Sequence, residues 1–196
     1  VVSKWCAATW LEDQDQWWHG GIQRSVSWYS TEPSHLEDVQ LLPGLVDAST
    51  GTLDIEVTAA GPLRREPGWQ TEVRVETLRG RQLASTGRLD LPAWDASSEA
   101  AQLISGTFTR PGVVRTRLRV DDISPWSHET PHRYRVLTVL TDPDGRVVEV
   151  LAHHTGFRSL EIRDNELLIN DVPVLLHGVN LHEHDPSTGR APSEAL

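Results

Sequence analysis

The stretch Val114-Arg-Thr-Arg-Leu-Arg-Val120 alternates apolar or β-branched residues with arginines. Successive side chains of a β-strand point to opposite faces, so this pattern predicts a strand with one buried and one charged face. Further stretches with the same alternation are residues 53–58, 72–76, 134–140 and 147–152, with weaker ones near Val39 and at 83–91. Residues 147–152 follow the turn Asp142-Pro-Asp-Gly145 and are predicted to return from it as a hairpin partner of 134–140.

About seven short strands within roughly 120 residues are typical of an immunoglobulin-like β-sandwich. No stretch with helical periodicity competes with this pattern, so we expect a mainly β chain. The single cysteine, Cys6, excludes the disulfide of a true antibody domain. The row of outward arginines is expected to pair across strands with acidic residues rather than to bind an anion; those acids are Asp54, Glu56, Glu72 and Glu76.

The chain of 196 residues carries 28 acidic against 18 basic residues, for a formal net charge of −10. This charge is opposite to that of a binder of nucleic acid or anionic membranes, so neither is expected as a partner. No apolar run approaches the length of a membrane helix. The single cysteine favours a reducing compartment, and we expect a cytoplasmic protein. Because the chain lacks methionine altogether, we expect it to be an excerpt of a longer protein.

Residues 1–31 hold five of the eight tryptophans, beside the acidic string Glu12-Asp-Gln-Asp15. Indole rings stack on sugar C–H faces and carboxylates accept hydrogen bonds from hydroxyls, which suits a saccharide site. The alternative is a core at the end of a strand beside a solvated acidic loop. Residues 22–29 alternate as a strand would, and the Thr31-Glu-Pro-Ser34 stretch predicts a domain boundary near residue 33.

The C-terminal stretch reads as strand, turn and strand, followed by a polar cluster. Residues 167–169 and 174–176 are apolar and flank the turn pair Asn170-Asp171. His182 lies among the polar residues 182–185 at the end of the second predicted strand, where a rigid scaffold commonly presents functional groups. In the loop 121–134 we expect Trp126 to fill a gap in the core.

Three groups of motifs resemble glycoside hydrolase family 2, in its large β-galactosidase branch. Trp10-Leu-Glu-Asp-Gln-Asp-Gln-Trp17 with Gly21-Ile-Gln-Arg24 is similar to the family's Tyr-Leu-Glu-Asp-Gln-Asp-x-Trp and Ser-Gly-Ile-x-Arg. Pro125-Trp-Ser-His-Glu-Thr-Pro131 resembles its tryptophan-serine-x-glutamate-x-proline loop. Gly156-Phe-Arg158 and residues 170–186 resemble Gly-Phe-Arg, Asn-Gly-Lys-Pro and Arg-Gly-Val-Asn-Arg-His-Glu-His, in the family's order.

The resemblance implies three parts. Residues 1–32 are expected to end a jelly-roll sugar-binding domain, 33–157 to form the immunoglobulin-like sandwich, and 158–196 to begin a (β/α)8 catalytic barrel. Active sites of such barrels lie at the C-terminal ends of the strands. Asn180 and His182 are then expected at the barrel mouth.

Residue roles follow from the same resemblance. Asp15 matches an aspartate that holds a sodium ion and the 6-hydroxyl of the sugar. His182 matches a histidine that hydrogen-bonds galactose hydroxyls as the transition state forms, with Asn180 behind it. His177 and Leu181 stand where the family usually has arginines, and Asn170-Asp-Val-Pro173 replaces Asn-Gly-Lys-Pro.

The resemblance implies a segment of a retaining β-galactosidase that hydrolyses terminal β-D-galactosides. Retaining enzymes use two carboxyl groups about 5 Å apart, and in this family both glutamates and the magnesium ligands come from later barrel strands. Glu183 matches no catalytic position. The alternatives are a non-catalytic carbohydrate- or protein-binding sandwich, or a segment of a β-glucuronidase or β-mannosidase. The expected partners are a β-galactoside and the rest of the same chain, and the full-length protein is expected to be a homo-oligomer.

Overall fold

The computed structural model describes residues 22, 24–94, 110–181, 185–189 and 191. One compact unit is Thr31–Leu175, and the described residues outside this range belong to a second unit. Within the described ranges the regular structure is β-strand, apart from one 3-10 turn at Pro62–Arg65. None of the described helical segments has the length and apolar character needed to cross a membrane.

Strands β1 to β7 of the first unit form two antiparallel sheets around a shared core. One sheet has the order β1-β2-β5 and contains β1 His35–Asp47, β2 Thr50–Ala60 and β5 Val113–Asp121. The other has the order β4-β3-β6-β7 and contains β3 Gln70–Thr77, β4 Gln82–Asp90, β6 Tyr134–Thr141 and β7 Val147–Thr155. The predicted mainly β fold class and its sandwich are confirmed. Because β4 pairs with β3 and not with the first sheet, the arrangement differs from a constant-type antibody domain.

The core is made by the inward positions of the predicted alternating stretches. In β2 every second residue is fully or almost fully buried, and β3 shows the same period of two. The buried apolar side chains of the two sheets are Leu53, Ile55, Val57, Val73, Val75, Val120, Val136 and Leu140, among others. Side chains from both sheets fill one apolar layer, as in other aligned sandwiches.

Tyr134 fixes the corner between β5 and β6. It begins β6, is 7% exposed, and its hydroxyl accepts a hydrogen bond from the Ser124 backbone N–H at 2.6 Å. A tyrosine at this corner that bonds to backbone a few residues upstream is a recurrent feature of immunoglobulin-like sandwiches. Two residues later, where antibody domains carry their second cysteine, the fully buried Val136 packs in the core instead.

Phe157 follows β7 and closes the core between the two sheets. Its side chain is fully buried, and its ring lies 5.4 Å from that of Tyr134 at a tilted angle. A Cβ atom at Gly51 would overlap the Phe157 ring. Glycine is therefore the residue that leaves room for the ring at this point of β2.

The arginines of β5 form the predicted ladder with the neighbouring strand. Arg115 donates to Glu56 at 2.7 Å, and Arg117 donates to both carboxylate oxygens of Asp54. Exposed pairs of this kind stabilise a fold only weakly, because water screens them. Arg119 differs, because it pairs with Asp121 of its own strand at 2.9 Å.

For the other two acids the predicted pairing is wrong. Glu72 and Glu76 lie in the second sheet, where they accept from Arg74 and Arg135 at 2.7 Å each. Alternation shows which face a side chain occupies but not which sheet its strand joins. The bond from Arg74, together with one from the Ser85 hydroxyl, lowers the pKa of Glu72 to about 2.

A small three-stranded sheet follows the sandwich within the same unit. It has the order β10-β9-β8 and contains β8 Leu160–Arg163, β9 Glu166–Ile169 and β10 Val172–Pro173. Asp164 and Asn165 connect β8 to β9, and Asn170 and Asp171 connect β9 to β10; all four residues have positive φ. Two-residue loops with both central residues at positive φ are the turns that match strand twist. The Asn170-Asp171 turn was predicted, and the first hairpin was not.

Two predicted strands are absent from the described residues. Residues 24–30 carry no strand, and Trp28 and Tyr29 are 88% and 85% exposed. Residues 174–176 are also irregular, and the strand after the turn is Val172–Pro173 instead. An alternating or apolar pattern becomes a strand only when a neighbour takes its backbone hydrogen bonds. Val174 donates one such bond, to the Leu167 carbonyl at 2.9 Å, but the ladder with β9 does not continue to residues 175 and 176.

We predict that Gly51→Ala destabilises the chain by about 1–3 kcal/mol, because the new methyl group overpacks the core against Phe157. Phe157→Leu combined with Gly51→Ala should cost less than the sum of the single changes, since the smaller side chain makes room. Urea unfolding of the four proteins measures this coupling. Gly178→Ala is the control, because a Cβ there meets no atom within 4 Å. Additive single effects would contradict the proposed contact.

We predict that Glu72 stabilises the fold at neutral pH and loses this effect in acid. Its folded pKa of about 2 lies below the ordinary 4.5, so the stabilisation is present above pH 4.5 and disappears as the pH falls towards 2. The full shift corresponds to about 3 kcal/mol, reduced by water around the partly exposed Arg74. Wild type should therefore exceed Glu72→Gln in unfolding free energy at pH 7 and converge with it near pH 2. As a control, Glu129→Gln should show no pH-dependent difference from wild type, because the Glu129 side chain is 83% exposed.

Candidate functional site

Of the residues predicted to contact the sugar, Asn180 lies within the described part of the chain. It is exposed and belongs to the irregular residues 174–181. Asp15 and His182 lie outside the described residues, as does Glu183. The roles of Asp15, Asn180 and His182 therefore stay predictions.

The carboxylates whose environment is perturbed are all held in their ionised form. Hydrogen bonds from Arg117, Arg115 and Arg163 lower the pKa values of Asp54, Glu56 and Glu161, and the Ser49 backbone lowers that of Asp47. Glu72 is shifted in the same direction. A general acid for glycoside cleavage needs a raised pKa. Among the described residues, these shifted groups thus suit a scaffold rather than proton transfer.

No group of three or more potential metal ligands occurs among the described residues. The two histidines of β7, His153 and His154, are exposed and stand opposite Val136 and Arg135 in the sheet. Adjacent residues of a strand face opposite ways, as predicted, so these two do not share a ligand from one side.

The motifs at Trp126 and at residues 156–158 meet in one junction, defined by Trp126, Gly156, Phe157, Arg158, Ser159 and Asn170. The Trp126 backbone N–H donates to the Phe157 carbonyl at 2.8 Å. A Cβ at Gly156 would lie 2.8 Å from Trp126, so glycine allows this approach. The Arg158 guanidinium lies 4.6 Å from the centre of the Trp126 ring, a cation–π contact. Trp126 is half-buried here and does not fill a core gap as predicted.

Asn170 fastens the small sheet to this junction. Its side-chain amide donates to the Trp126 carbonyl at 2.9 Å and accepts from the Ser159 N–H at 3.0 Å. Its backbone N–H donates to the Ser159 carbonyl at 3.1 Å. One turn residue thus joins the loop after β5, the exit from the sandwich, and the β9–β10 turn.

A surface cavity of about 580 Å³ was missed by the sequence reasoning. It is lined by Arg64, Arg65, Trp94, Arg110 and Pro111. Arg64 is held by Glu37 at 2.6 Å and by the Ala59 carbonyl at 2.9 Å. The lining would suit an anionic or aromatic group. Its members come from three separate stretches of the chain that converge only through the fold, so no local motif marks them.

We predict that the side chain of Asn170, beyond its turn conformation, stabilises the junction. Asn170→Gly keeps the positive φ and removes both side-chain bonds, so it should cost about 1–2 kcal/mol of unfolding free energy. Asn170→Asp should cost more, because a carboxylate oxygen then faces the Trp126 carbonyl. Asn165→Gly is the matched control, since Asn165 also has positive φ in a two-residue turn. Equal unfolding free energies for Asn170→Gly and Asn165→Gly would contradict a stabilising role of the Asn170 side chain.

Comparison with known sequences gives two matching family models. The model of Glycosyl hydrolases family 2 matches residues 34–158, and that of the family's TIM barrel domain matches residues 160–196. The Beta-galactosidase of Vibrio vulnificus (strain YJ016) is 35% identical over 196 residues, covering 99% of this chain and 18% of that protein. The Beta-galactosidase of Klebsiella pneumoniae (strain 342) is 37% identical, covering 100% of this chain and 18% of that protein.

Among solved structures, the b-glucuronidase from Ruminococcus gnavus in complex with D-glucaro-d-lactam is similar, with a TM-score of 0.60 and 20% identity. The match covers 83% of this chain and 22% of that chain, and at this identity it supports the fold alone. The chain spans 18% of the length of the curated relatives named above. Since the family model accounts for residues 34–158 and confirms the resemblance read from the motifs, the chain belongs to glycosyl hydrolases family 2.

Proposed function

We propose that this chain is a segment of a retaining β-galactosidase that hydrolyses terminal β-D-galactosides. The observation that carries the proposal is the 35–37% identity with named beta-galactosidases along 99–100% of the chain. The match includes both flanks of the sandwich, where the motifs quoted above lie. A free sandwich module would have no need of those flanking motifs.

In the proposed enzyme this segment binds and orients the sugar. Asp15 accepts a hydrogen bond from the 6-hydroxyl and supplies one carboxylate ligand to a sodium ion, a hard cation that prefers oxygen. His182 donates to galactose hydroxyls, and its neutral imidazole adds no full charge at the oxocarbenium-like transition state. Asn180 supports it. The nucleophile, the acid/base and the magnesium ligands belong to later parts of the whole protein.

The sandwich itself has a supporting role in this proposal. Its perturbed carboxylates are kept ionised by arginine and backbone donors, so they stabilise strands rather than exchange protons with substrate. The whole protein is proposed to be cytoplasmic and homo-oligomeric, acting on a β-galactoside without nucleic acid or membrane partners. The net charge of −10 supports the exclusion of polyanionic partners.

A β-glucuronidase or β-mannosidase is the alternative within the family. The fold similarity to the Ruminococcus gnavus b-glucuronidase, at 20% identity, fits that alternative as well. The acidic string Glu12-Asp-Gln-Asp15 and the identity with the named beta-galactosidases favour the galactoside. A non-catalytic lectin-like module is the alternative outside the enzyme class.

We predict that the 196-residue chain alone neither hydrolyses nitrophenyl β-galactoside nor binds galactose in a calorimetric titration. The reason is that the reactive carboxylates and much of the pocket lie outside it. Galactose binding by the chain alone would favour the lectin-like module. Hydrolysis by the chain alone would contradict the assignment of the catalytic groups to later residues.

In the whole protein, nitrophenyl β-galactoside should be turned over with a higher kcat/KM than the matching glucuronide or mannoside. His182→Ala should lower kcat/KM by about 100-fold, as loss of a hydrogen bond made in the transition state does. His154→Ala, an exposed strand residue of β7, is the matched control and should leave kcat/KM unchanged. Preference for the glucuronide would replace the proposed substrate while leaving the family assignment intact.

A further inference from the structure

The small sheet after the sandwich has two faces of opposite character. In an antiparallel pair, residues directly opposite each other project to the same side. Leu160 stands opposite Ile169, Ile162 opposite Leu167, and Val172 also opposite Ile169. These five apolar residues, Leu160, Ile162, Leu167, Ile169 and Val172, therefore share one face, which we term the apolar hairpin face.

The opposite face is polar at its tip and buried near its centre. Arg163 pairs with Glu161 at 2.5 Å and with Asp171 at 3.1 Å. Leu168, on this side, is 6% exposed. The charged side chains of this face are thus paired with one another within the sheet.

The apolar hairpin face, by contrast, is open. Leu160, Ile162 and Val172 are 59%, 79% and 61% exposed. Short sheets are stable when a hydrophobic face packs on something, and contiguous exposed apolar patches mark interaction surfaces. Apart from Leu168, the large apolar residues of the sheet lie on this one side, which indicates one permanent cover there.

We propose that the apolar hairpin face packs against the N-terminal end of the (β/α)8 barrel formed by the remainder of the whole protein. The TIM barrel domain of the family matches from residue 160 onward, so this sheet opens the matched domain. The named relatives are much longer than the chain, which covers 18% of them. The rest of that domain is the cover with which the sheet is already covalently continuous.

The direction of the chain selects the end of the barrel. Active sites of such barrels lie at the C-terminal ends of the strands, and in the proposed function Asn180 and His182 lie there. The stretch from Pro173 to Asn180 reaches at most roughly 24 Å when extended, about one barrel height. In the proposed barrel this stretch is the first strand, so the sheet that precedes it lies at the opposite end. This choice of end rests on the proposed function, whereas the packing itself rests on the sheet.

A second copy of the chain is the competing occupant. In the whole protein the face would then be needed twice, once by the copy and once by the barrel domain that follows in the same chain. The barrel is therefore the occupant that the observations favour.

The test compares the same substitutions in the 196-residue chain and in the whole protein. Ile162→Glu places a charge on the apolar hairpin face, and Leu42→Glu places one at a similarly exposed residue of β1, 67% exposed. Glu161→Gln, on the other face, shows whether a change in the hairpin alone has an effect. Anilinonaphthalene sulfonate fluorescence and sedimentation velocity are measured for the chain, and the melting temperature for the whole protein.

In the 196-residue chain, Ile162→Glu should lower the dye fluorescence by about twofold, because the dye reports exposed apolar surface, and should leave the circular dichroism spectrum unchanged. In the whole protein the same change should lower the melting temperature by several degrees, with Leu42→Glu and Glu161→Gln within about 1 °C of wild type. Equal melting temperatures for Ile162→Glu and Leu42→Glu in the whole protein would overturn the proposal. A dimer of the chain that Ile162→Glu dissociates, without an effect in the whole protein, would assign the face to a second copy. None of these readouts depends on galactoside hydrolysis, so they fail independently of the proposed substrate.

Discussion

The packing of the buried Phe157 ring between the two sheets is the contact on which the rest of the unit depends. Its ring lies against Gly51 of one sheet and 5.4 Å from Tyr134 of the other, so it holds the two layers together at one end. It is also the first large side chain after β7, and its carbonyl accepts from the Trp126 N–H. The exit of the chain from the sandwich is therefore set by core packing. A flexible linker is not needed to begin the next domain, because the junction around Trp126 and Asn170 continues directly from the core.

Electrostatics in this chain serve the scaffold. The acidic excess is spread over strands, and the carboxylates with perturbed pKa values face arginines or backbone donors. Such groups stay ionised at neutral pH and stabilise cross-strand pairs, whereas a glycosidase acid must hold its proton. This distribution agrees with a segment of a family member that provides a rigid support.

The small sheet connects these two roles. Its Asn170 turn is bonded to the sandwich through Trp126 and Ser159, and its apolar face is left open. One side is thus anchored to a folded core and the other is available to the domain that the family model places from residue 160. In the packing proposed above, the sheet holds the sandwich against its neighbour through side-chain contacts, which tolerate less movement than a single covalent connection.

Much of the sandwich was predictable because alternation is a local property. The alternation with a period of two, at residues 114–120 and in the similar stretches, determined the strands and their buried faces. The Asn170-Asp171 pair determined a tight turn. The same reasoning failed at residues 24–30 and 174–176, which form no strand in the structure. It also misassigned the partners of Glu72 and Glu76 and overlooked the cavity lined by Arg64 and Arg110. The sequence by itself determined which residues turn inward and which family the motifs resemble. The tertiary structure alone decided which distant residues meet, as Asn170 meets Trp126, because such contacts depend on how separate strands pair and pack.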